Sequence, residues 1–193
     1  RFDFISRIAA GYAKDLMKRK EAAGDTSGVL HMILQPGHDG SVMPEIEFRN
    51  FFCLVVAAGN DTTRYSIAAG LQALAHQPEL LPLIQSGAVD DTMADEIIRW
   101  ASPTSYFRRT ATRDFDMHGK QIKAGDKVLY WYASANRDDT VFDQPFRVDL
   151  ARSPNKHLAF GQRGPHLWLG MWLARHQVHD HFQELAKRIK SIE

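Results

Sequence analysis

The sequence predicts a mainly helical protein with a small antiparallel β inset, organised as a single domain over residues 1–193. Three observations support this fold class. Apolar residues recur at helical spacing through the first half of the chain and again near its end. Apolar and polar residues alternate between positions 115 and 132, which is typical of short strands. The 193 residues, 44% of them apolar and 24% charged, suffice for one globular core.

Composition excludes several classes of protein. Lys and Arg number 24 and Asp and Glu 23, so the net charge of +1 predicts no nucleic-acid partner. No run of about 18 apolar residues exists, so we expect no membrane span. The single cysteine, Cys53, rules out an internal disulfide and favours the cytoplasm. The start at Arg1 resembles no signal peptide, and we expect the chain to be truncated on its N-terminal side.

The first helices are predicted from spacing and from turn residues. Residues 4–24 have apolar residues on one face and end in a basic stretch before Gly24. A short helix is expected over 29–34. Pro44, followed by two glutamates, predicts the start of a helix that continues to about His76. At 1.5 Å per residue that helix is roughly 45–50 Å long.

A polar cluster interrupts the long helix at Gly59-Asn60-Asp61-Thr62-Thr63. These residue types are mediocre or poor helix formers, and apolar residues precede and follow them. Polar groups inside a buried helix cost free energy unless they are used. This conflict predicts a functional site.

The second half begins with a short helix between Pro78 and Gly87. Thr92 through Asp95 resembles a capping box, which predicts the start of the next helix. Glu96 and Arg99 lie three apart on that helix and can pair, either as a weak surface pair or as a buried pair with further partners. After the strands, an aromatic loop over 142–147 and a glycine-rich loop over 157–170 lead to a final helix from Met171.

Four stretches, in this order, resemble the C-terminal part of a cytochrome P-450, a haem monooxygenase. They are Ala58-Gly59-Asn60-Asp61-Thr62-Thr63, Glu96-x-x-Arg99, Phe142-x-x-Pro145-Phe146-Arg147, and Phe160-Gly161 through Gly170. Each alone is weak, but their order and separations together are specific. The resemblance covers essentially the whole chain and implies that about half of a full member precedes it.

The resemblance implies roles for individual residues. In the long central helix, Ala58 and Gly59 would let haem b and oxygen approach the backbone, and Asp61 and Thr62 would deliver protons. A threonine hydroxyl that bonds a carbonyl one turn back would loosen the helix there. Arg109 would bind a haem propionate; a solvated charge beside Arg108 is the alternative.

Further roles fall on the second half of the chain. Glu96, Arg99 and Arg147 resemble the structural cluster that supports the haem loop. Phe160 would lie in that loop against the haem, and His166 would contact the other propionate.

The resemblance breaks at Trp168, the axial-ligand position, where the family has a cysteine two residues after the histidine. Tryptophan offers an N–H donor and no lone pair, so no metal ligand is predicted there. Three explanations remain open. A single base change could have converted a cysteine codon, as an error or a recent lesion; thiolate ligation could have been lost; or another residue, His166 being nearest, could ligate iron.

The resemblance also implies partners. A ferredoxin-type donor would supply electrons, and Lys156, Arg163 and Arg175 form a candidate docking patch around the loop. The substrate would be a hydrophobic small molecule. The residues around Asn60–Arg64 and Ala101–Pro103 resemble bacterial members, some of which oxidise sterols or methyl-branched lipids. A haem-free remnant or binding protein is the competing interpretation.

Overall fold

The computed structural model describes residues 2–161, 164 and 167–191. Seven helices and four strands lie in this part of the chain, so the predicted fold class, mainly helical with a small antiparallel inset, is confirmed. Their bounds are α1 Phe2–Ala22, α2 Val29–Leu34, α3 Glu45–His76, α4 Leu80–Gln85, α5 Met93–Ala101, β1 Tyr106–Thr110, β2 Phe115–Met117, β3 Lys120–Ile122, β4 Lys127–Trp131, α6 Tyr132–Ala135 and α7 Met171–Arg188.

The chain divides into two compact units, residues 1–60 and 61–193. The single domain that the sequence suggests therefore stays a prediction. In the first unit, Ala13 of α1 packs with Phe48 and Phe52 of α3, whose rings stack with centroids 6.2 Å apart. Leu54, Val55 and Val56 on the following turn are 46–59% exposed, although their apolar character predicts burial. The core of this unit thus uses only the first turns of α3.

The second unit has a larger core, which helices α4, α5 and α7 build with the segment at 148–150. Its fully or nearly buried members are Ala73, Leu74, Leu80, Leu81, Ile84, Val89, Met93, Ala94, Ile97, Ile98, Val148, Leu150, Val178, Phe182 and Ala186. Helix α5 is strongly amphipathic, because apolar residues recur every three or four positions along it. Its buried face also carries Glu96 and Arg99, so the core of this unit encloses charge.

Two small antiparallel sheets form the inset. β2 pairs with β3 across the turn at His118-Gly119, as the alternation of residues predicts. β1 pairs with β4 with Arg109 opposite Val128, and this strand is one that the sequence pattern does not indicate. All five β1 side chains are exposed, so no burial alternation marks it. Pairing with β4, which lies 17 residues along the chain, creates the strand.

The capping box expected at Thr92 is wrong. Thr92 precedes α5, but its side chain makes no cap hydrogen bond to the helix. Instead the hydroxyl donates to the carbonyl of Leu150, 2.6 Å away. The N–H groups of the first turn therefore gain no partner from this side chain. Thr92 therefore ties α5 to the segment at 150.

Every helix among the described residues is too short or too polar to cross a bilayer.

Candidate functional site

A buried ion pair lies on α5. Arg99 donates from Nε to one oxygen of Glu96 at 2.7 Å and from Nη2 to the other at 2.8 Å, and both side chains are fully buried. The i, i+3 spacing places the two groups on one helix face. Arg99 also donates to the carbonyls of Asn136, Pro145 and Arg147. The structure thus favours the buried alternative, with the further partners that burial requires.

The second arginine of this cluster is Arg152, which corrects the prediction of Arg147. Arg152 donates from Nε to Glu96 at 3.0 Å and is 9% exposed. The Arg147 side chain is exposed, and its carbonyl accepts from Arg99 instead. Arg152 lies beyond the recognised 142–147 stretch, so no local pattern points to it. Glu96 also accepts from the Asp149 amide and from Asn155.

Asn136 connects this cluster to the glycine-rich loop. Its amide donates to Ser102 Oγ at 2.9 Å, and its side-chain oxygen accepts from the Leu158 N–H at 2.7 Å. The residue is fully buried. An asparagine followed by an arginine and two aspartates is typical of an ordinary turn, so the sequence does not indicate this bridging role.

The polar stretch of α3 forms an unbroken helix. Asp61 is exposed and pairs with Arg64 at 2.6 Å, one turn along. Thr62 is half-buried, and its carbonyl accepts from Ser66 Oγ at 2.9 Å. A serine hydroxyl thus bonds the carbonyl one turn back, and the sequence pattern does not indicate this serine. Ala58 is half-buried and Gly59 exposed, on the part of α3 that lies in the first unit.

Arg109 lies on β1 and lines a surface groove of about 340 Å³. Thr110, Arg113, Phe115 and Tyr130 are among the other lining residues. The Arg109 guanidinium donates to the Arg108 carbonyl at 3.1 Å and lies 6.0 Å from the centre of the Tyr130 ring. Arg109 is thus an exposed cation on a rigid strand, a suitable place for binding a carboxylate.

The glycine-rich loop contains Phe160 and Trp168, both half-buried. The backbone N–H of Trp168 donates to the Phe160 carbonyl at 3.0 Å, which holds the two arms of the loop together. The Trp168 indole packs on Gly170, because a Cβ built there would meet Nε1 at 2.8 Å. His166 and Arg163 lie outside the described residues.

Between Leu158 and Gly170, the described loop residues carry no side chain that could ligate a metal. From Leu158 to Gly170, those that the structure describes have only apolar, glycine or indole side chains. An indole N–H is a donor without a lone pair. In the described part of the chain as a whole, no group of three His, Cys, Asp or Glu side chains is arranged to hold a metal ion.

A second ionic network lies beside the first. Asp95 Oδ1 accepts from His157 Nε2 at 3.0 Å and from Arg175 Nε at 2.7 Å. Burial alone would raise the pKa of Asp95, but the hydrogen bonds from His157 and Arg175 outweigh it and lower the pKa below its usual value. Arg175 is therefore bound within the fold, with its side chain 27% exposed, and the docking patch stays a prediction. Lys156 remains exposed.

Comparison with known proteins identifies a family model and curated relatives. Residues 91–188 match the family model described as cytochrome P-450. The methyl-branched lipid omega-hydroxylase of Mycobacterium tuberculosis is 44% identical over 156 residues, which are 80% of this chain and 36% of the relative. The steroid C26-monooxygenase of the same species is 37% identical over 182 residues, 94% of this chain and 42% of the relative. The chain thus spans less than half the length of these relatives.

The fold is also similar to that of solved cytochrome P-450 structures. A Mycobacterium marinum cytochrome P-450 in complex with pseudoionone superposes with a TM-score of 0.82 at 38% identity, over 96% of this chain and 44% of that one. A Bacillus megaterium protein in complex with corticosterone gives 0.84 at 29% identity, over 95% of this chain and 49% of that one.

Proposed function

This chain belongs to the cytochrome P-450 family, and from that premise we propose that it is part of a haem monooxygenase whose oxygen chemistry is blocked at Trp168. The substrate class would be a hydrophobic, sterol-like or lipid-like small molecule. Dioxygen would be the oxidant, and a cytoplasmic ferredoxin-type protein the electron donor. The proposal rests on the family match and on the indole of Trp168, which stands where the resemblance leads us to expect the ligand.

The substrate class rests on the relatives. One is named a methyl-branched lipid omega-hydroxylase and the other a steroid C26-monooxygenase, at 44% and 37% identity. Both names describe large, mostly apolar molecules.

The residues present do not fit the haem b that the family implies. In that family a cysteine thiolate binds the iron and favours cleavage of the O–O bond. Trp168 has no lone pair to donate, and its indole packs on Gly170. Between Leu158 and Gly170 the other described residues offer no substitute, and both ring nitrogens of His157 are bound, to Asp95 and to the Ala159 N–H. We therefore derive no oxygenation step in this chain.

The other predicted site residues keep their proposed roles in the ancestral enzyme. Ala58 and Gly59 would border the oxygen side of the macrocycle, and Asp61 with Thr62 would supply protons on that side. Arg109 and His166 would bind the propionates, and Phe160 would contact the ring. Asp61 must first leave its pair with Arg64, an exposed contact that costs little to break.

The test is the absorption spectrum of the reduced, carbon monoxide-bound chain after incubation with haem, for the wild type and W168C. We expect no thiolate-type Soret band from the wild type and a clear one from W168C. A thiolate-type band from the wild type would refute the block. A histidine-type band from the wild type would show that another residue ligates. Sequencing codon 168 in the source DNA checks whether the tryptophan is genuine.

A haem-free binding protein is the second candidate. The packing of Trp168 against Gly170 favours it, because a bulky indole at this position opposes the approach of a macrocycle. Haem titration of both proteins separates the candidates. If neither the wild type nor W168C takes up haem, the scaffold has lost cofactor binding altogether.

A further inference from the structure

One carboxylate oxygen ties together the two ends of the glycine-rich loop. Asp95 Oδ1 accepts from His157, which begins the loop 62 residues later, and from Arg175, which lies 80 residues later on α7. The Asp95 side chain is 26% exposed and that of Arg175 27%, so both bonds are partly shielded from water. Charge-assisted bonds of this kind are stronger than neutral ones.

The His157 ring transmits this anchor to the loop backbone. Its Nδ1 accepts from the Ala159 N–H at 3.2 Å, so the ring hydrogen lies on Nε2 and is donated to Asp95. The His157 side chain is 3% exposed. The residue after Ala159 is Phe160, whose carbonyl accepts from the backbone N–H of Trp168. A short series of bonds therefore connects Asp95 to the backbone at Trp168.

Arg175 provides the second connection. Its guanidinium carbon lies 5.3 Å from the centre of the Phe160 ring and 4.9 Å from that of Trp172. The cation thus lies against one aromatic ring of the loop and one of α7. Asp95 holds the guanidinium between them, which fixes Phe160 relative to the helix that follows the loop.

We propose that Asp95 is a positioning residue: it sets the backbone at position 168 through His157 and Arg175. The inference rests on the proposed function, because position 168 is where the family's iron ligand is expected. The neighbouring Glu96 shares none of these partners. It binds Arg99, Arg152, Asn155 and the Asp149 amide instead. Two adjacent acids of α5 thus hold two different segments.

The first test is amide hydrogen exchange by NMR on the full chain without haem. In D95A we expect exchange at Ala159, Gly161 and Trp168 to rise by about tenfold or more, the effect of losing one charge-assisted hydrogen bond. The Asp149 amide, bound to Glu96, should not change. D95N keeps an acceptor at Oδ1 and should recover part of the protection.

The matched control is E184A, which removes an exposed acid of α7 that pairs with Lys187 and Arg188. It should leave all four amides unchanged. If D95A does not fold, R175M removes one of the two donors and should raise exchange at the same three loop amides. Equal acceleration at Asp149, or no difference from E184A, would overturn the proposal.

The second test uses the W168C background. There D95A should shift or broaden the thiolate-type Soret band, and E184A should not. If W168C takes up no haem in any background, the proposed function fails, and the exchange data still decide the role of Asp95. An unchanged band in D95A/W168C would overturn the inference while leaving the proposed function intact.

Discussion

The indole of Trp168 lies directly on the backbone of Gly170. A Cβ built on Gly170 would be 2.8 Å from Nε1 of the indole and 3.4 Å from Cε2. Gly170 has φ −81°, a conformation open to any residue. Its lack of a side chain matters here because of the indole and not because of backbone strain.

The first prediction follows from that contact. G170A should destabilise the wild-type chain by about 1–2 kcal/mol, because the indole must move or overpack. In W168C the same substitution should cost almost nothing, because the obstructing ring is gone. Urea unfolding of the four proteins of this double-mutant cycle measures the coupling. Equal costs in both backgrounds would show that the glycine is needed for another reason.

The second prediction concerns Glu96. E96A should destabilise the chain by about 3 kcal/mol or more, because it leaves the buried guanidinium of Arg99 without its carboxylate. Chemical denaturation provides the measurement. E184A, which removes an exposed carboxylate, is the control and should show no measurable change. A loss below about 0.5 kcal/mol in E96A would mean that the pair behaves like a surface pair.

The third prediction separates the two candidate arginines. R152M should cost about 2 kcal/mol, because Arg152 donates to Glu96 and to the Asp143 carbonyl in a largely buried position. R147M should change the unfolding free energy by less than about 0.5 kcal/mol, because the exposed side chain is not used and the carbonyl remains. If R147M proved more destabilising than R152M, Arg147 would be the second arginine of the cluster, as the resemblance predicts.

The fourth prediction compares two glycines of α3. A Cβ on Gly70 would lie 2.5 Å from Cζ of Phe182 and 3.0 Å from Cγ2 of Ile97, so G70A should cost about 1–3 kcal/mol. At Gly59, apart from its chain neighbours and the backbone of the helix itself, no atom of the described residues lies within 4 Å of such a Cβ, and G59A should stabilise the helix by about 0.5–1 kcal/mol. Thermal unfolding reports both. A neutral G70A would mean that Phe182 has room to move.

The fifth prediction concerns pH. The pKa of Asp95 is lowered in the folded chain, whereas in the unfolded chain it returns to about 3.9. Its contribution to stability is therefore complete above the unfolded pKa and is lost as the pH falls through the folded pKa. The gap in unfolding free energy between wild type and D95N should be widest near neutral pH and should close in acid. Denaturation at a series of pH values measures it, and a gap that does not vary with pH would contradict the assignment.

The helices follow from the sequence because their signals are local. Proline and glutamates at 44–47 start α3 within one residue of the structure, and apolar spacing locates α1, α5 and α7. The i, i+3 spacing of Glu96 and Arg99 places them on one face whatever the rest of the chain does. The tryptophan at position 168 is likewise evident from the sequence alone. These features depend on residues a few positions apart, where propensity and periodicity act.

The tertiary structure decided which distant groups meet. Arg152 rather than Arg147 pairs with Glu96, Thr92 donates to Leu150 instead of capping its helix, and Arg175 is held by Asp95. Strand β1 exists because β4 pairs with it. Each of these contacts joins residues that are 17 to 80 positions apart. A charged side chain has many candidate partners in the sequence, and only the packed core determines which one comes within 3 Å and is shielded from water.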